Sequence, residues 1–396
     1  MDARTLYRVT APTEWAKAPA RYSYSTLRSL RECPLRWQLQ RSSYGETRGF
    51  PERPSVAAIT GKMIHSALDQ LFRALGTQGL PPVGSVPFQT VLRDLDLVNR
   101  LRESLRARQE ELSANPRAAG QRITVSERDL YNQVCRLFHP VYAQARAARQ
   151  GRTERLSRER AEESIHDLLE KLHTKGMLSE VRLLHPTLPL IGIIDLLWDD
   201  GGQTRIVDFK TGTPHAQYRE QVELYALLWW RVTNDRPVSL EIRHPAGTET
   251  YDIDETMLLA LEARLTDELR ALSADLDHPP CVARPGPHCR HCDVRALCDT
   301  YWSERQPQGS LLLEDTWCDA DLTVVATISG AVALCHDRAG NELTLTCDED
   351  TAATLGPWEL GERLRVLSAL QPAGRAELQL RRGSEVFRMA SSEGGP

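Results

Sequence analysis

Hydrophobic and polar positions are most clearly organised in the segment LIGIIDLLWDDGGQTRIVDFKTG, residues 190–212. Two apolar runs rich in β-branched residues, 191–198 and 205–210, predict two β-strands. The intervening DDGGQ supplies the Asp and Gly residues that hairpin connections use. This part of the chain therefore predicts a β-hairpin.

Most other periodic segments before residue 280 have the 3.6-residue spacing of amphipathic helices. The helix with the GKMIH sequence places apolar residues on one stripe, and Glu255 opens another helix after a polar turn. Helices are predicted in residues 22–42, with a Ser cap and a break at Pro34, in 57–75, in most of 88–178, in 218–232 and in 255–277, and a second hairpin in 237–253.

The pattern of apolar and polar residues changes after the polar stretch SERQPQGS. From there to residue 390, short apolar runs alternate with turns. Such spacing predicts a small β-barrel or sandwich, with an OB-like barrel as one form. The pattern therefore predicts an α/β domain in residues 1–309 with a helical insertion at about 80–178, a β-domain in 310–390 and a disordered tail in 391–396.

Composition narrows the class of protein. The chain has 396 residues and a formal net charge of −5, so nucleic-acid binding would need a local basic patch. The N-terminal segment has no apolar leader, and no apolar run has the length of a membrane span. Nine cysteines, an odd number, then predict reduced thiols in a cytoplasmic protein.

Charged residues inside the predicted hairpin are the first sign of chemistry. Because strand side chains alternate, Val207 and Phe209 share one face, and Asp208 and Lys210 share the other. The neighbouring strand adds Asp195. A buried carboxylate needs a cation. Two carboxylates beside one lysine suit a divalent metal ion, although a structural salt bridge is an equal alternative on this segment alone.

A second cluster is CRHCDVRALC, which places Cys289, Cys292 and Cys298 in a C-x2-C-x5-C arrangement. Three thiols at this spacing predict a metal site. Zinc would take a fourth ligand from nearby Cys281 or His291, and a 4Fe–4S cluster would also need four ligands. The more isolated cysteines fit reduced thiols packed as small apolar side chains, and these are Cys135, Cys318, Cys335 and Cys347.

The order GKMIH, GIID, IVDFKTG and QVELYALL resembles the RecB-type branch of the PD-(D/E)xK nuclease superfamily. A Cys-Pro pair in the N-terminal helix and the late cysteine trio resemble its iron–sulfur members, which include the CRISPR-associated iron–sulfur exonucleases, the AddB nuclease domain and the exonuclease V-like proteins. The resemblance extends over about residues 22–298. It implies a restriction-endonuclease-like mixed sheet flanked by helices.

The resemblance also implies roles for matching residues. His65 would supply a metal ligand, Asp195 and Asp208 the metal-binding carboxylates, and Phe209 a backbone carbonyl ligand. Lys210 would position the attacking water and offset phosphate charge. The implied ion is Mg²⁺ or Mn²⁺, which takes oxygen ligands and can activate water.

Two helix residues and four cysteines complete the implied set. Gln221 and Tyr225, at i and i+4, would lie near the scissile strand. Cys281 has no counterpart in the family pattern. On position alone, a structural histidine at 65 and surface or core roles for Gln221 and Tyr225 are alternatives. The implied 4Fe–4S ligands are Cys33, Cys289, Cys292 and Cys298.

The implied function is a metal-dependent deoxyribonuclease that acts on single-stranded DNA or DNA ends in repair, recombination or anti-phage defence. The alternative is a non-catalytic iron–sulfur DNA-binding subunit of a helicase–nuclease complex. The chain has no Walker A pattern, so a helicase partner would be a separate protein. A different repair or defence protein is also an expected partner.

Overall fold

The computed structural model describes residues 8–9, 11–118, 121–150, 166–212, 215–303 and 314–389. The helices are α1 Tyr24–Glu32, α2 Pro34–Arg41, α3 Val56–Thr77, α4 Val86–Leu95, α5 Leu97–Ala114, α6 Glu127–Gln150, α7 His166–Lys175, α8 Gln217–Thr233, α9 Glu255–Leu276, α10 Asp299–Ser303 and α11 Glu349–Leu355. The strands are β1 Arg8–Val9, β2 Ser43–Tyr44, β3 Thr47–Arg48, β4 Met177–Leu184, β5 Ile191–Asp200, β6 Gln203–Phe209, β7 Ser239–His244, β8 Gly247–Asp252, β9 Thr316–Ser329, β10 Val332–Asp337, β11 Glu342–Thr346, β12 Arg363–Gln371, β13 Glu377–Gln379 and β14 Glu385–Met389.

A mixed five-stranded sheet, in the order β4-β5-β6-β7-β8, forms the centre of the N-terminal part. Only β6 and β7 run parallel within it. One face packs on α8 and α9 through a cluster that we call the first core, and the other packs on α3 and α6 through the second core. This architecture confirms the predicted α/β fold of the restriction-endonuclease type.

The predicted hairpin is β5 and β6, joined by a two-residue turn. Asp200 pairs with Gln203, and the intervening Gly201 and Gly202 have φ angles of +65° and +97°. Positive φ at both central positions is the requirement of the tightest hairpin turns, which glycine meets without strain. The second predicted hairpin is also confirmed, as β7 and β8.

The predicted N-terminal helix divides at Pro34, as expected from its missing N–H. Ser23 caps α1 by accepting a hydrogen bond from the Thr26 N–H. Cys33 lies between the helices and caps α2, where its thiol accepts from the Arg36 N–H. The break therefore places a buried cysteine sulfur at a helix N-terminus.

The helical region predicted up to residue 178 contains α4 to α7, but its end was misplaced. Helix α7 ends at Lys175, and strand β4 begins at Met177. Helices α4, α5 and α6 contribute apolar residues to the second core together with α3. They cover one face of the sheet up to the site described below.

The C-terminal strands form the predicted β-structure. Strands β9, β10, β11, β13 and β12 follow one another around a ring that the β12–β9 pairing closes, with α11 between β11 and β12. A five-stranded ring of this connectivity is an OB-like barrel. Strands β14 and β1 extend the sheet beside β12, and residues 391–396 lie outside the described part.

The barrel packs directly on the N-terminal part. A shared apolar cluster joins Leu39 and Phe50 to Leu367 and Phe387. A buried ion pair crosses the same boundary, with 2.8 Å between Arg117 Nε and a Glu385 carboxylate oxygen. None of the helices within the described ranges is long and apolar enough to cross a membrane.

Candidate active site

The two hairpin carboxylates lie where β5 and β6 separate. The ladder between these strands extends from Asp200–Gln203 to Leu196–Val207, and the next residues along are Asp195 and Asp208. An Asp195 carboxylate oxygen accepts the Phe209 N–H at 2.8 Å, so a side chain replaces a ladder partner there. Asp208 is buried, with 1% of its surface exposed. The widening of the sheet therefore aims two carboxylates at one opening.

Lys210 lies beside the deeper carboxylate. Its Nζ is 2.7 Å from Asp208 Oδ2 and 3.0 Å from Gln221 Oε1. The Gln221 amide in turn donates to the Tyr225 hydroxyl at 2.7 Å and to Asp208 Oδ1 at 3.4 Å. Helix α8 presents Gln221 and Tyr225 on one face, as their i and i+4 spacing requires. The structure thus brings together the predicted Asp208, Lys210, Gln221 and Tyr225.

His65 reaches the same opening from α3. Its Nδ1 is 3.4 Å from Asp195 Oδ2. One turn earlier, a Cβ on Gly61 would lie 3.1 Å from the Thr211 hydroxyl, so glycine permits the helix to approach the end of β6. Although burial disfavours the imidazolium, the Asp195 carboxylate raises the pKa of His65 above its ordinary value.

Glu180 on β4 is a site residue that the sequence reasoning missed. Ligand atoms of His65, Glu180 and Asp195 all lie within 4.8 Å of one another. Within the described residues, Asp208 does not belong to this group, so the predicted set of His65, Asp195 and Asp208 is not the closest cluster. The alternation of Val181 and Leu183 with polar residues was the available signal for a strand carrying Glu180.

The backbone at Glu180 is in the left-handed region, with φ of +49°. On either side of Glu180, Ser179 pairs with Leu196 and Val181 pairs with Ile194. Leu196 belongs to the second core and Ile194 to the first, so the buried side chains of β5 change from one face of the sheet to the other at this point. A non-glycine residue in this region costs of order 1–3 kcal/mol and is most common at functional sites. This turn of the strand directs the Glu180 carboxylate towards Asp195.

Two carboxyl groups of the site, Asp208 and Glu180, have raised pKa values, so a bound cation would be stabilised there. Burial raises the pKa of Asp208 to about 7, and the Asp195 carboxylate adds to the rise while Lys210 opposes it. Burial and then Asp195 raise the pKa of Glu180. Burial likewise raises the pKa of the Tyr225 hydroxyl, which keeps its proton. Three carboxylates with one lysine and one histidine fit a divalent ion, whose charge would favour their ionised forms.

The four cysteines assigned to a cluster surround one cavity of about 320 Å³. Cys33 comes from the α1–α2 break, and the others come from short turns after α9. Cys281 lies outside this cavity lining and donates its S–H to the Asp275 carbonyl, and His291 is exposed. Of the two distant candidates, Cys33 lines the cavity with the late trio and Cys281 does not. The cavity-lining thiols are Cys33, Cys289, Cys292 and Cys298.

Backbone N–H groups point at these sulfurs. Cys289 accepts from the Gly286 N–H, Cys292 from Val294, and Cys298 from Tyr301 and Thr300. Such donors favour thiolates, which are the metal-binding form. Burial nevertheless raises the pKa of Cys292 to about 11 and raises that of Cys298, so a bound cation would be needed to keep them ionised.

The spacing of these sulfurs can be compared with the ligand spacing of known metal sites. Tetrahedral zinc with bonds of about 2.3 Å brings its thiolates to about 3.8 Å from one another. In the described part of the chain, no three cysteine sulfurs lie within 4.8 Å of one another. A polynuclear cluster binds each thiolate to a different iron and accommodates a wider spacing. The four thiols around the cavity are the number and kind of ligands that a 4Fe–4S cluster takes.

Comparisons with curated proteins and with solved structures do not by themselves place the chain in a family. None of the curated proteins matches the chain significantly. Among solved structures, the tetrameric p202 HIN2 is 16% identical with a TM-score of 0.19, over 22% of this chain and 49% of that one. SSO0001 is 14% identical with a TM-score of 0.21, over 52% of this chain and 85% of that one. A murine DNA-binding protein bound to double-stranded DNA is 10% identical with a TM-score of 0.18, over 56% of this chain and 97% of that one. The chain thus spans about half of the p202 structure, and similarities this low carry no argument.

The sequence model of one superfamily matches residues 21–299, which include the sheet, both carboxylate strands, α8 and the cysteine cavity. Nucleases of this superfamily generally use divalent metal ions, and the acidic site described above is a candidate for one. The chain belongs to the PD-(D/E)XK nuclease superfamily.

Proposed function

We propose that this protein is a Mg²⁺- or Mn²⁺-dependent deoxyribonuclease of the RecB-type iron–sulfur branch, acting on single-stranded DNA or DNA ends. The observation that carries the proposal is the convergence of His65, Glu180, Asp195 and Asp208 beside Lys210, where β5 and β6 separate. Each of these groups has a use in phosphodiester hydrolysis, and a simple structural ion pair needs only two of them.

The residues divide into two groups by position. His65, Glu180 and Asp195 would hold the ion. Asp208 and the Phe209 carbonyl, which the family resemblance implies as ligands, would complete the set. A bound divalent ion supplies a nucleophilic water near neutral pH and offsets the charge that develops on the phosphate. The carboxylates are ligands held on rigid strands, which limits their movement.

Lys210 acts on the reacting atoms directly. Its ammonium lies 2.7 Å from Asp208 Oδ2, and the Gln221 amide oxygen accepts a hydrogen bond from it at 3.0 Å, which fixes its position. From there it can orient the attacking water or contact a non-bridging phosphate oxygen. Gln221 also ties Asp208 to the Tyr225 hydroxyl, so both helix residues are positioning residues in this proposal.

The cysteine cavity is proposed to hold a 4Fe–4S cluster with a structural role. Cys33 and the late trio are about 250 residues apart, so a shared cluster would join both ends of the nuclease fold and contribute its binding energy to folding. Arg295 links this loop to the barrel, because it donates to the Cys292 carbonyl and pairs with Asp319.

The biological setting is proposed at the same level. The cysteines of the described segments form no disulfide, which supports a reducing, cytoplasmic location. Repair, recombination or anti-phage defence would supply DNA ends or single strands, through a separate helicase or another partner protein.

The decisive test of the nuclease is cleavage of end-labelled single-stranded DNA in Mn²⁺. We expect the wild type to cleave and Lys210→Ala to lose at least 100-fold in rate (of order 10²–10³ for one transition-state donor), with Lys17→Ala, an exposed lysine elsewhere, as the matched control. DNA binding without cleavage by the wild type would instead favour a non-catalytic subunit. Equal cleavage by the wild type and Lys210→Ala would reject this site.

The cluster has its own test. Anaerobically purified protein should contain iron and sulfide and absorb visible light, whereas Cys292→Ser should be colourless and poorly folded. Cys281→Ser, outside the cavity, should keep the absorbance. Zinc in place of iron, or a colourless Cys292→Ser that is fully stable, would contradict the structural cluster.

A further inference from the structure

Beside the acidic site, part of one face of the central sheet carries exposed apolar side chains. Ile193 on β5 is 45% exposed, and Leu184 on β4 is 42% exposed. Between them lies the exposed Arg182, which is the register partner of Ile193. We call these three residues the strand shelf. Large apolar side chains this exposed on neighbouring strands, with a cation between them, form a surface that can bind a partner.

The strand shelf points to the same side of the sheet as the metal-binding carboxylates. Ile194, Val181 and Leu183 are buried in the first core, which packs on α8 and α9. Because strand side chains alternate, Ile193 and Arg182 point to the opposite side. That is the side from which His65 on α3 approaches Asp195. The shelf is therefore continuous with the candidate active site.

Spacing along the strands places the shelf next to the acidic site. Ile193 precedes Asp195 by two residues, and Arg182 follows Glu180 by two. At about 3.3 Å per residue, each lies about 7 Å further along its strand than the corresponding carboxylate. A nucleotide adjoining a phosphate at the acidic site would extend over this surface.

We propose that the strand shelf binds the bases of an unpaired nucleic-acid strand beside the scissile phosphate, with Arg182 on a neighbouring phosphate. This inference rests on the proposed nuclease function and adds the surface that would hold its single-stranded substrate. Aliphatic side chains contact base faces only where the bases are unstacked, as in strands that proteins splay open. An intact duplex presents phosphates and polar groove edges, which Ile193 and Leu184 do not match.

The test measures binding rather than cleavage. Fluorescence anisotropy with a labelled oligothymidylate, and with a duplex of equal length, is recorded in Ca²⁺ to suppress hydrolysis. The variants are Ile193→Ser, Leu184→Ser and Arg182→Gln. The matched control is Leu259→Ser, because Leu259 is 46% exposed on α9, against the opposite face of the sheet.

We expect each serine variant to weaken single-strand binding about fivefold and the pair about 25-fold, with duplex binding unchanged. Arg182→Gln should reduce the slope of log K against log salt by about 0.7, the value for one phosphate contact on a single strand. Equal losses for Leu259→Ser, equal losses for the duplex, or unchanged single-strand binding would each overturn the proposal. Unchanged unfolding midpoints confirm that the variants are folded, since these side chains are exposed.

Failure of the strand shelf and failure of the nuclease give different results. Cleavage that depends on Lys210, with shelf variants that bind like the wild type, rejects the shelf and keeps the nuclease. Shelf-dependent single-strand binding by a wild type that never cleaves rejects the nuclease and keeps the shelf. A shelf that instead binds a protein strand at the β4 edge would leave DNA binding unchanged in every variant, which also rejects the proposal.

Discussion

The conformation and charge of Glu180 can be tested separately with three substitutions. Glu180→Ala and Glu180→Gly both remove the carboxylate and differ only in the Cβ, so they report on the backbone at φ of +49°. Glu180→Gln keeps the size of the side chain and removes its charge. Glu342→Gln, at an exposed position of strand β11, is the control for removing a strand carboxylate elsewhere.

The magnitudes follow from the geometry. A side chain with a Cβ in the left-handed region costs about 1–2 kcal/mol that glycine avoids. Glycine in an ordinary strand is instead about 0.5–1 kcal/mol less stable than alanine. The midpoints of these two ranges differ by about 0.75 kcal/mol, so we expect Glu180→Gly to be more stable than Glu180→Ala by about that much, which reverses the usual order.

The charge contributes a second difference. The Glu180 and Asp195 ligand atoms lie within 4.8 Å of each other. At an effective dielectric constant near 20, this separation gives a repulsion of about 3 kcal/mol, which His65 and solvent reduce to about 1 kcal/mol. Glu180→Gln should gain about that much stability in EDTA. In saturating Mn²⁺ the order should reverse, because binding stabilises the wild type more.

The assay is urea unfolding of the four variants and the wild type, in EDTA and in Mn²⁺. A Glu180→Gly variant less stable than Glu180→Ala would refute the strained strand. Equal stabilisation of the wild type and Glu180→Gln by Mn²⁺ would refute Glu180 as a ligand. A shift for Glu342→Gln as large as that for Glu180→Gln would show that the effect is not specific to the site.

Three further predictions follow from single contacts. The free energy of unfolding of the metal-free protein should fall as the pH rises from about 4 to about 7. Burial raises the pKa of Asp208 to about 7, so over this range the folded state still holds a proton that the unfolded chain has released. Asp208→Asn should flatten this pH dependence in urea titrations made in EDTA. Arg117→Ala should lower the free energy of unfolding by about 3–5 kcal/mol, because it leaves the buried Glu385 carboxylate with one cation fewer, and a loss below 1 kcal/mol in urea unfolding would contradict the pairing. Gly192→Ala should lower both the stability and the cleavage rate, because the new Cβ would lie 2.6 Å from Cδ1 of the buried Leu228 and 3.0 Å from Tyr225 Cδ1, so that both side chains must move; an unchanged kcat would contradict the positioning role of Tyr225.

The local features were predictable because their causes are local. The β5–β6 hairpin follows from two β-branched runs and a Gly-Gly turn, and the α1–α2 break follows from a proline that cannot donate. The two hairpin carboxylates and Lys210 stand out because they interrupt apolar strands. Their meeting with His65 was implied only by the order of motifs, since nothing in the spacing brings α3 to the sheet.

What the sequence could not indicate depends on contacts between distant segments. Strand β4 has an ordinary alternation, but the helical composition before it obscured its start. The left-handed backbone at position 180 could not be predicted, because the residue there is Glu and not the Gly or Asn that usually marks this conformation. The strand pairing on either side imposes the conformation instead. Spacing also left open whether Cys33 or Cys281 joins the trio, since only the packing of α1 and α2 places Cys33 at the cavity.

Contacts between distant segments also connect the loop that carries the late cysteines to the barrel. Arg295 is buried, donates to the Cys292 carbonyl and is held by Asp319 on β9. Arg365 on β12 donates to the Ala296 carbonyl of the same loop. Two barrel strands thus fix the backbone between the late cysteines, and those cysteines line the cavity with Cys33. The barrel therefore supports the geometry of the cysteine cavity, in addition to any contact it makes with nucleic acid.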